Sequence, residues 1–216
     1  MTERITPRQF QEAVGVEDWR VLAHGACAYF RTGSFAAGVE LVDAIGELAD
    51  AANHHPDIDL RYRGVTVRLI THDLGGLSER DVNLARQITA VARELDIPAD
   101  PAAMQDIDFV IDALVGPDVM PFWQAVLGYQ QVGDEDLIDS HGRWPSIWFQ
   151  KMDTPRPQRN RIHVDLWVPH DQAEVRVAAA IGAGGHLVSD KHAPAWWTLA
   201  DAEGNEVDVC TWMGRD

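Results

Sequence analysis

The chain has 216 residues, 46% of them apolar, and a formal net charge of −16. So large an acidic excess disfavours nucleic-acid binding, which depends on clustered Lys and Arg, and no apolar run reaches the roughly 18 residues of a membrane span. Cys27 and Cys210 lie far apart without metal-type spacing, and Met1-Thr2-Glu3-Arg4 opens a polar stretch unlike a signal peptide, so a reduced, cytoplasmic protein with small-molecule or protein partners is expected.

The length allows one large domain or two of about 100 residues each. Pro7 to Val14 reads as a short helix, with Thr6 as its cap and Pro7 at the first helical position. Trp19 to Phe30 is rich in strand formers and has room for two short strands around Gly25. Phe35, Val39, Val42, Ile45, Leu48 and Ala52 fall on one helical stripe, so a helix is expected over 35–53. Leu60, Tyr62, Val65, Val67, Leu69 and Thr71 alternate around Arg63-Gly64 as a hairpin does, with the second strand reaching His72. Gly75-Gly76-Leu77 turns the chain into a last helix, where Ser78 at the N-cap and Asp81 three residues on form a near capping box.

Ile97-Pro98-Ala99-Asp100-Pro101 marks a helix end and a change of composition: Trp19 is the one tryptophan before it, and seven follow. The expected organisation is a domain over 1–97, a linker over 98–106 and a domain over 107–216. In the second half, strands are expected at Phe109–Leu114, from Gly128 to Val132, and at Ser146–Lys151, with a helix over Val119–Leu127. The rhythm then recurs as strand Arg161–Val168, helix Asp171–Ile181, and strands His186–Ser189, Ala195–Leu199 and Val207–Trp212. The fold class is therefore α+β: an α-β-β-α-β-β-α domain followed by two βαβββ units.

The most informative stretch holds His54, His55 and His72, flanked by Asp50, Asn53, Pro56, Tyr62, Thr71, Asp73 and Asp81. Imidazole exchanges protons near neutral pH. Three of them beside carboxylates point to proton transfer on a small molecule. His54-His55-Pro56 also suits a helix C-terminus, where histidine complements the dipole and proline stops the helix. That accounts for one or two of the three, but not for His72.

Asp50, His54, His55, Pro56, Tyr62, His72 and Asp81 fill the places of a signature that resembles the pterin-4a-carbinolamine dehydratases, and the run Thr71 to Asp81 is similar to that family's strand-to-helix segment. The resemblance covers roughly residues 5 to 96. It implies dehydration of a 4a-hydroxytetrahydropterin to the quinonoid dihydropterin, with no cofactor required. His54 and His72 are then expected to handle the hydroxyl and ring-nitrogen protons, with His55 holding the pterin. Asp50 orients a histidine or binds the amino-pyrimidine edge, and Asn53, Pro56, Tyr62, Thr71 and Asp73 are expected to supply further substrate contacts. Asp81 is expected mainly to cap the last helix, and packing is the alternative role for Tyr62.

Residues 107–213 resemble the glyoxalase-like branch of the vicinal-oxygen-chelate superfamily through Phe122 to Tyr129, Asn160 to Leu166 and Asp201 to Val209. That superfamily implies a divalent metal held from four strands. Here His163 and Asp208 fall on ligand positions, while the first unit offers only Gln150 and Asp112. With one strong ligand type present, an organic ligand or none is the preferred reading and a metal the alternative. Both resemblances imply a homo-oligomer, a dimer or tetramer, and the first suggests a pterin-dependent hydroxylase as a further partner. Competing functions are a non-catalytic pterin-binding or dimerising module, and a metal-dependent lyase or dioxygenase in the second domain.

Overall fold

The computed structural model describes residues 3–105, 108–155, 164–168, 172–211 and 213. The chain folds as two units, Met1–Asp106 and Ile107–Asp216.

In the first unit the order is α1 (Pro7–Gln11), β1 (Arg20–Leu22), β2 (Gly25–Phe30), α2 (Phe35–Ala52), β3 (Asp57–Arg61), β4 (Gly64–Leu69) and α3 (Glu79–Glu94). The expected element order holds. Thr6 accepts from the Gln9 N–H while the Gln9 side chain accepts from the Thr6 N–H, closing a capping box. Helix α1 stops at Gln11, short of the expected Val14. The strands pair antiparallel in the order β1-β2-β4-β3. Between β1 and β2 the chain turns on Gly25 at φ +130°, where an added Cβ would lie 2.4 Å from the Leu69 carbonyl oxygen.

Alternation along β2 and β4 sends Ala26, Ala28, Phe30, Val65, Val67 and Leu69 to one face of the sheet, where they pack with Leu41 and Ile45 of α2 and Leu84 and Ile88 of α3. Trp19 is fully buried there; its indole N–H donates to Thr89 (3.1 Å) and its ring meets Phe30 edge-on. Each large apolar side chain so buried contributes roughly 1.5–3 kcal/mol. The other face carries Asp57, Asp59, Tyr29, Thr66 and Arg68. The start of the segment read as a linker lies along this sheet: the Arg31 N–H donates to the Pro98 carbonyl, and the Asp100 N–H to that of Tyr29.

The second unit holds two sheets of one topology. The first comprises β5 (Phe109–Ala113), β6 (Gln130–Val132), β7 (Asp136–Ile138) and β8 (Ile147–Lys151), in the order β5-β8-β7-β6. The second comprises β9 (Val164–Trp167), β10 (His186–Ser189), β11 (Trp196–Ala200) and β12 (Glu206–Cys210), in the order β10-β11-β12-β9. In each, the first strand runs parallel to the fourth (β5 with β8, β9 with β12). Helices α4 (Gly116–Leu127) and α5 (Ala173–Gly182) follow the first strands, which makes two βαβββ repeats. Strand β7, three residues in a polar stretch, has no counterpart among the expected elements. Helix α4 starts three residues earlier than expected, with Pro117 in its first turn. Residues Arg161 to His163, Asp171 and Trp212 of the expected elements lie outside the described residues.

The repeats share one core: Phe122, Trp123, Leu137 and Phe149 of the first repeat with Leu199, Val207 and Val209 of the second. Polar contacts join them as well. Both Glu203 carboxylate oxygens accept backbone N–H groups, from Leu114 (2.8 Å) and Val115 (2.9 Å), where the start of α4 exposes donors. The Trp123 indole donates to buried Asp201 (2.9 Å), which also accepts the Glu203 and Asn205 N–H groups. The sequence run 201–205 thus acts as a clamp. Among the described residues, no helix is long and apolar enough to cross a membrane.

Candidate active site

Helix α2 ends at Ala52, so the histidines lie beyond it rather than in its last turn. Asn53 takes the left-handed conformation (φ 46°, ψ 45°). Its N–H donates to the Asp50 carbonyl and the His54 N–H to that of Ala49, the paired closure of a Schellman motif with asparagine in the usual glycine place. The reversal turns His54 inward, to 6% exposure, and leaves His55 outside, with a side chain 59% exposed.

His54 Nε2 lies 2.8 Å from Oδ1 of Asp81, a carboxylate with no exposed surface. Asp81 Oδ2 accepts the Ser78 N–H (2.7 Å) and the Thr71 hydroxyl (2.6 Å), with the Ser78 hydroxyl at 3.2 Å. The capping box read from the sequence is present, but it uses only one oxygen of Asp81. The other faces an imidazole 27 residues away in sequence. An ionised carboxylate accepts and does not donate, so neutral His54 carries its proton on Nε2 and keeps a lone pair on Nδ1. One buried group therefore joins the end of α2, the end of β4 and the start of α3.

His72 lies past the strand expected to carry it. Strand β4 stops at Leu69 because Thr71 turns to pair with Gly76, and His72 opens a single 3-10 turn over His72–Leu74, exposed to solvent. Asp73 is exposed beside it. Arg80 straps this turn to α2: one guanidinium nitrogen lies 3.9 Å from Asp73, and another donates to the Asn53 carbonyl. Nothing in the sequence marked Arg80 for this place. His55 Nε2 pairs with Asp50 at 2.9 Å, a surface contact that costs little to open.

His54, Thr71, Ser78 and Asp81 are therefore in direct contact, His55 is with Asp50, and Asn53 and Asp73 meet through Arg80. Pro56 leads from the cluster into β3. Tyr62 stands apart, on the hairpin turn six residues further along the chain, or roughly 20 Å of extended strand. It is 69% exposed and does not pack as expected.

In the second unit, Asp112 and Gln150 are cross-strand neighbours on β5 and β8. Asp208 neighbours Asp165 on β9 and accepts the Thr198 hydroxyl (2.6 Å). His163 lies outside the described residues. Among the described residues no three His, Cys, Asp or Glu side chains converge as metal ligands. A cavity of about 550 Å³ in this unit is lined by Tyr129, Asp139, His141, Arg143, Trp144 and Arg176. Burial, with the Asp139 charge nearby, pushes the Tyr129 phenol up to about 12. Burial opposes the charge of Asp139, but the N–H groups of His141, Arg143 and Trp144 outweigh it and hold the carboxyl below its usual range.

A sheet flanked by helices on one face thus carries, at its edge, a buried acid, Asp81, that holds His54. Residues 3–91 match the family described as pterin 4 alpha carbinolamine dehydratase, and residues 108–210 the glyoxalase-like domain. A Nocardia farcinica protein named "Putative pterin-4-alpha-carbinolamine dehydratase" is 43% identical over 93 residues, which is 43% of this chain and 98% of that protein. One of the same name from Roseiflexus sp. is 38% identical over 92 residues, 42% of this chain and 99% of the relative. The chain belongs to the pterin-4a-carbinolamine dehydratase family through its first unit, and carries a glyoxalase-like domain in its second. Similar solved structures are a transcriptional coactivator/pterin dehydratase from Brucella melitensis (26% identity, 42% of this chain and 99% of that one, TM-score 0.40) and a glyoxalase/bleomycin resistance protein/dioxygenase family enzyme from Burkholderia phytofirmans (17% identity, 50% and 98%, TM-score 0.41).

Proposed function

We propose that the first unit eliminates water from a 4a-hydroxytetrahydropterin to give the quinonoid dihydropterin. The reaction breaks the C4a–O bond, adds a proton to the departing hydroxyl and removes one from N5, so the atoms balance as product plus water. Both transfers suit imidazole near neutral pH, and the proposal includes no cofactor for them. The observation that carries the reading is the 2.8 Å His54–Asp81 contact, which ties a histidine to the same carboxylate that organises the segment before His72. In this scheme the exposed imidazoles of His72 and His55 meet the substrate, one as acid and one as base. Asp50 orients His55. His54, fixed by Asp81, forms the floor with Nδ1 as its remaining acceptor.

The test is His72→Ala in the full chain, assayed for pterin dehydration. Because His72 is exposed, thermal stability should stay at the wild-type value while kcat falls at least roughly 10²-fold. Full activity in that variant would overturn the scheme. For the second unit we propose an organic ligand rather than a metal, supported by the cavity holding Tyr129, Arg143 and Trp144. Stoichiometric zinc, nickel or iron in protein purified without chelators would refute it.

A further inference from the structure

The sheet face opposite α2 and α3 holds a cavity of about 950 Å³ within the first unit. Its volume lies at the upper end of small-ligand pockets, roughly 300–1,000 Å³. The histidines do not line it. Its walls include Tyr29, Arg31, Tyr62, Arg63, Arg68 and Asp100. The chain as a whole is strongly acidic, and residues 1–106 contain ten arginines and no lysine. Three of those ten line this one cavity, against a single lining carboxylate. Three guanidinium groups beside one carboxylate leave this wall locally positive, which favours an anionic ligand.

Asp57 stands opposite Arg68 across β3 and β4, and two further neighbouring carboxylates are engaged with arginines. Asp100 accepts from the Arg31 guanidinium, at 3.0 Å from Nε with a second contact from Nη2, which positions that arginine. Asp59, on the same sheet face, accepts from Arg61 at 2.8 Å. Arg63 has no carboxylate partner among the described residues and projects from the exposed hairpin turn. The aromatic walls differ in mobility. Tyr29 is held over the backbone of Gly64, where an added Cβ would fall 2.4 Å from the ring's Cζ and Oη. Tyr62, on the turn beside Arg63, is largely exposed. A fixed ring, a free ring and planar guanidinium forks together suit a ligand with an aromatic ring and a phosphate or carboxylate.

We propose that this face is a second ligand site, separate from the histidine cluster, for a small aromatic anion. Tyr29 and Tyr62 hold the ring, and Arg63 with Arg31 and Arg68 holds the charge.

The test is calorimetric titration of the full chain with phenyl phosphate, benzoate, inorganic phosphate and phenol. Saturable binding of phenyl phosphate or benzoate at one per chain is expected, with the preferred one identifying the anionic group. Inorganic phosphate and phenol should bind at least about tenfold more weakly, since each lacks half of the recognition. Arg63→Ala should weaken the aromatic anion at least about tenfold and Tyr62→Ala several-fold, while dehydration activity in Arg63→Ala stays at the wild-type level. The proposal is overturned if neither aromatic anion saturates, or if Arg63→Ala and Tyr62→Ala bind as the wild type does. It is also overturned if Arg63→Glu dissociates an oligomer in sedimentation, because a second copy of the chain then occupies the face.

Discussion

Replacing Asp81 separates its two tasks. In Asp81→Ala, four buried donors lose their acceptor: His54 Nε2–H, the Ser78 N–H and the hydroxyls of Thr71 and Ser78. A buried donor left without a partner costs roughly 1–3 kcal/mol. One of the two hydroxyls can turn to the other's oxygen, 2.7 Å away, so three donors remain orphaned and the expected loss is roughly 3–9 kcal/mol. That is a large part of the roughly 5–15 kcal/mol available to a domain. Asp81→Asn is the sharper probe. Its amide oxygen must take the Oδ2 place, where Ser78 and Thr71 both donate, which turns the NH₂ toward His54. The imidazole then has to accept at Nε2, moving its proton to Nδ1 and reversing the tautomer. Stability should fall by only about 1–2 kcal/mol, as a charged acceptor becomes neutral, while kcat falls roughly 10²–10³-fold because Nδ1 no longer accepts. Guanidinium unfolding followed by circular dichroism gives the first quantity, dehydration kinetics the second, and nitrogen-15 spectra of the His54 ring the tautomer. Wild-type kcat in Asp81→Asn with the His54 proton still on Nε2 would refute the argument.

Asp50→Asn should leave the melting temperature within about 1 °C, because both partners of this surface pair are exposed, yet lower kcat by loosening His55; a stability loss above about 1 kcal/mol would mean the pair is structural. Gly25→Ala combines a φ of +130° with a 2.4 Å approach to the Leu69 carbonyl, and should cost more than about 2 kcal/mol in denaturant unfolding. Tyr129 should ionise late, at about 12, in an ultraviolet titration, with that step absent from Tyr129→Phe. Its folded-state value lies above the ordinary phenol value of about 10, so the associated stability is present below about pH 10 and is lost as pH rises through about 12. Wild-type and Tyr129→Phe unfolding curves that stay parallel across that window would contradict it.

The elements of the first unit were legible because local chemistry fixes their ends. Thr6 with Gln9 and Ser78 with Asp81 are reciprocal caps that need no distant partner. The histidine cluster was legible as a set of residue types, but not as an arrangement. Sequence spacing showed Asp81 as a cap and hid its second oxygen, whose partner arrives only when α2 and α3 pack together. Arg80 was hidden for the same reason, since its contacts with Asn53 and Asp73 cross between elements. His72 was placed on a strand because apolar alternation continues to Thr71; the pairing of Thr71 with Gly76 that ends the strand is a tertiary event. In the second unit β7 escaped notice because Asp136, Leu137 and Ile138 follow a charged stretch and only Leu137 is fully buried.

The clamp formed by Glu203 bears on how the second unit can change over evolution. The glutamate sits late in the chain, yet the N–H groups it holds open the helix of the earlier repeat. The indole of Trp123 likewise depends on an aspartate 78 residues further on, and the Phe122 ring lies so close to Gly185 that a Cβ there would come within 2.0 Å of it. Neither repeat is a portable part. A recombination that replaced one repeat alone would strand a helix start, orphan a buried indole and collide with a phenylalanine at once. Two copies of one topology thus form a single interlocked cassette in this chain, each completing polar contacts that the other leaves open.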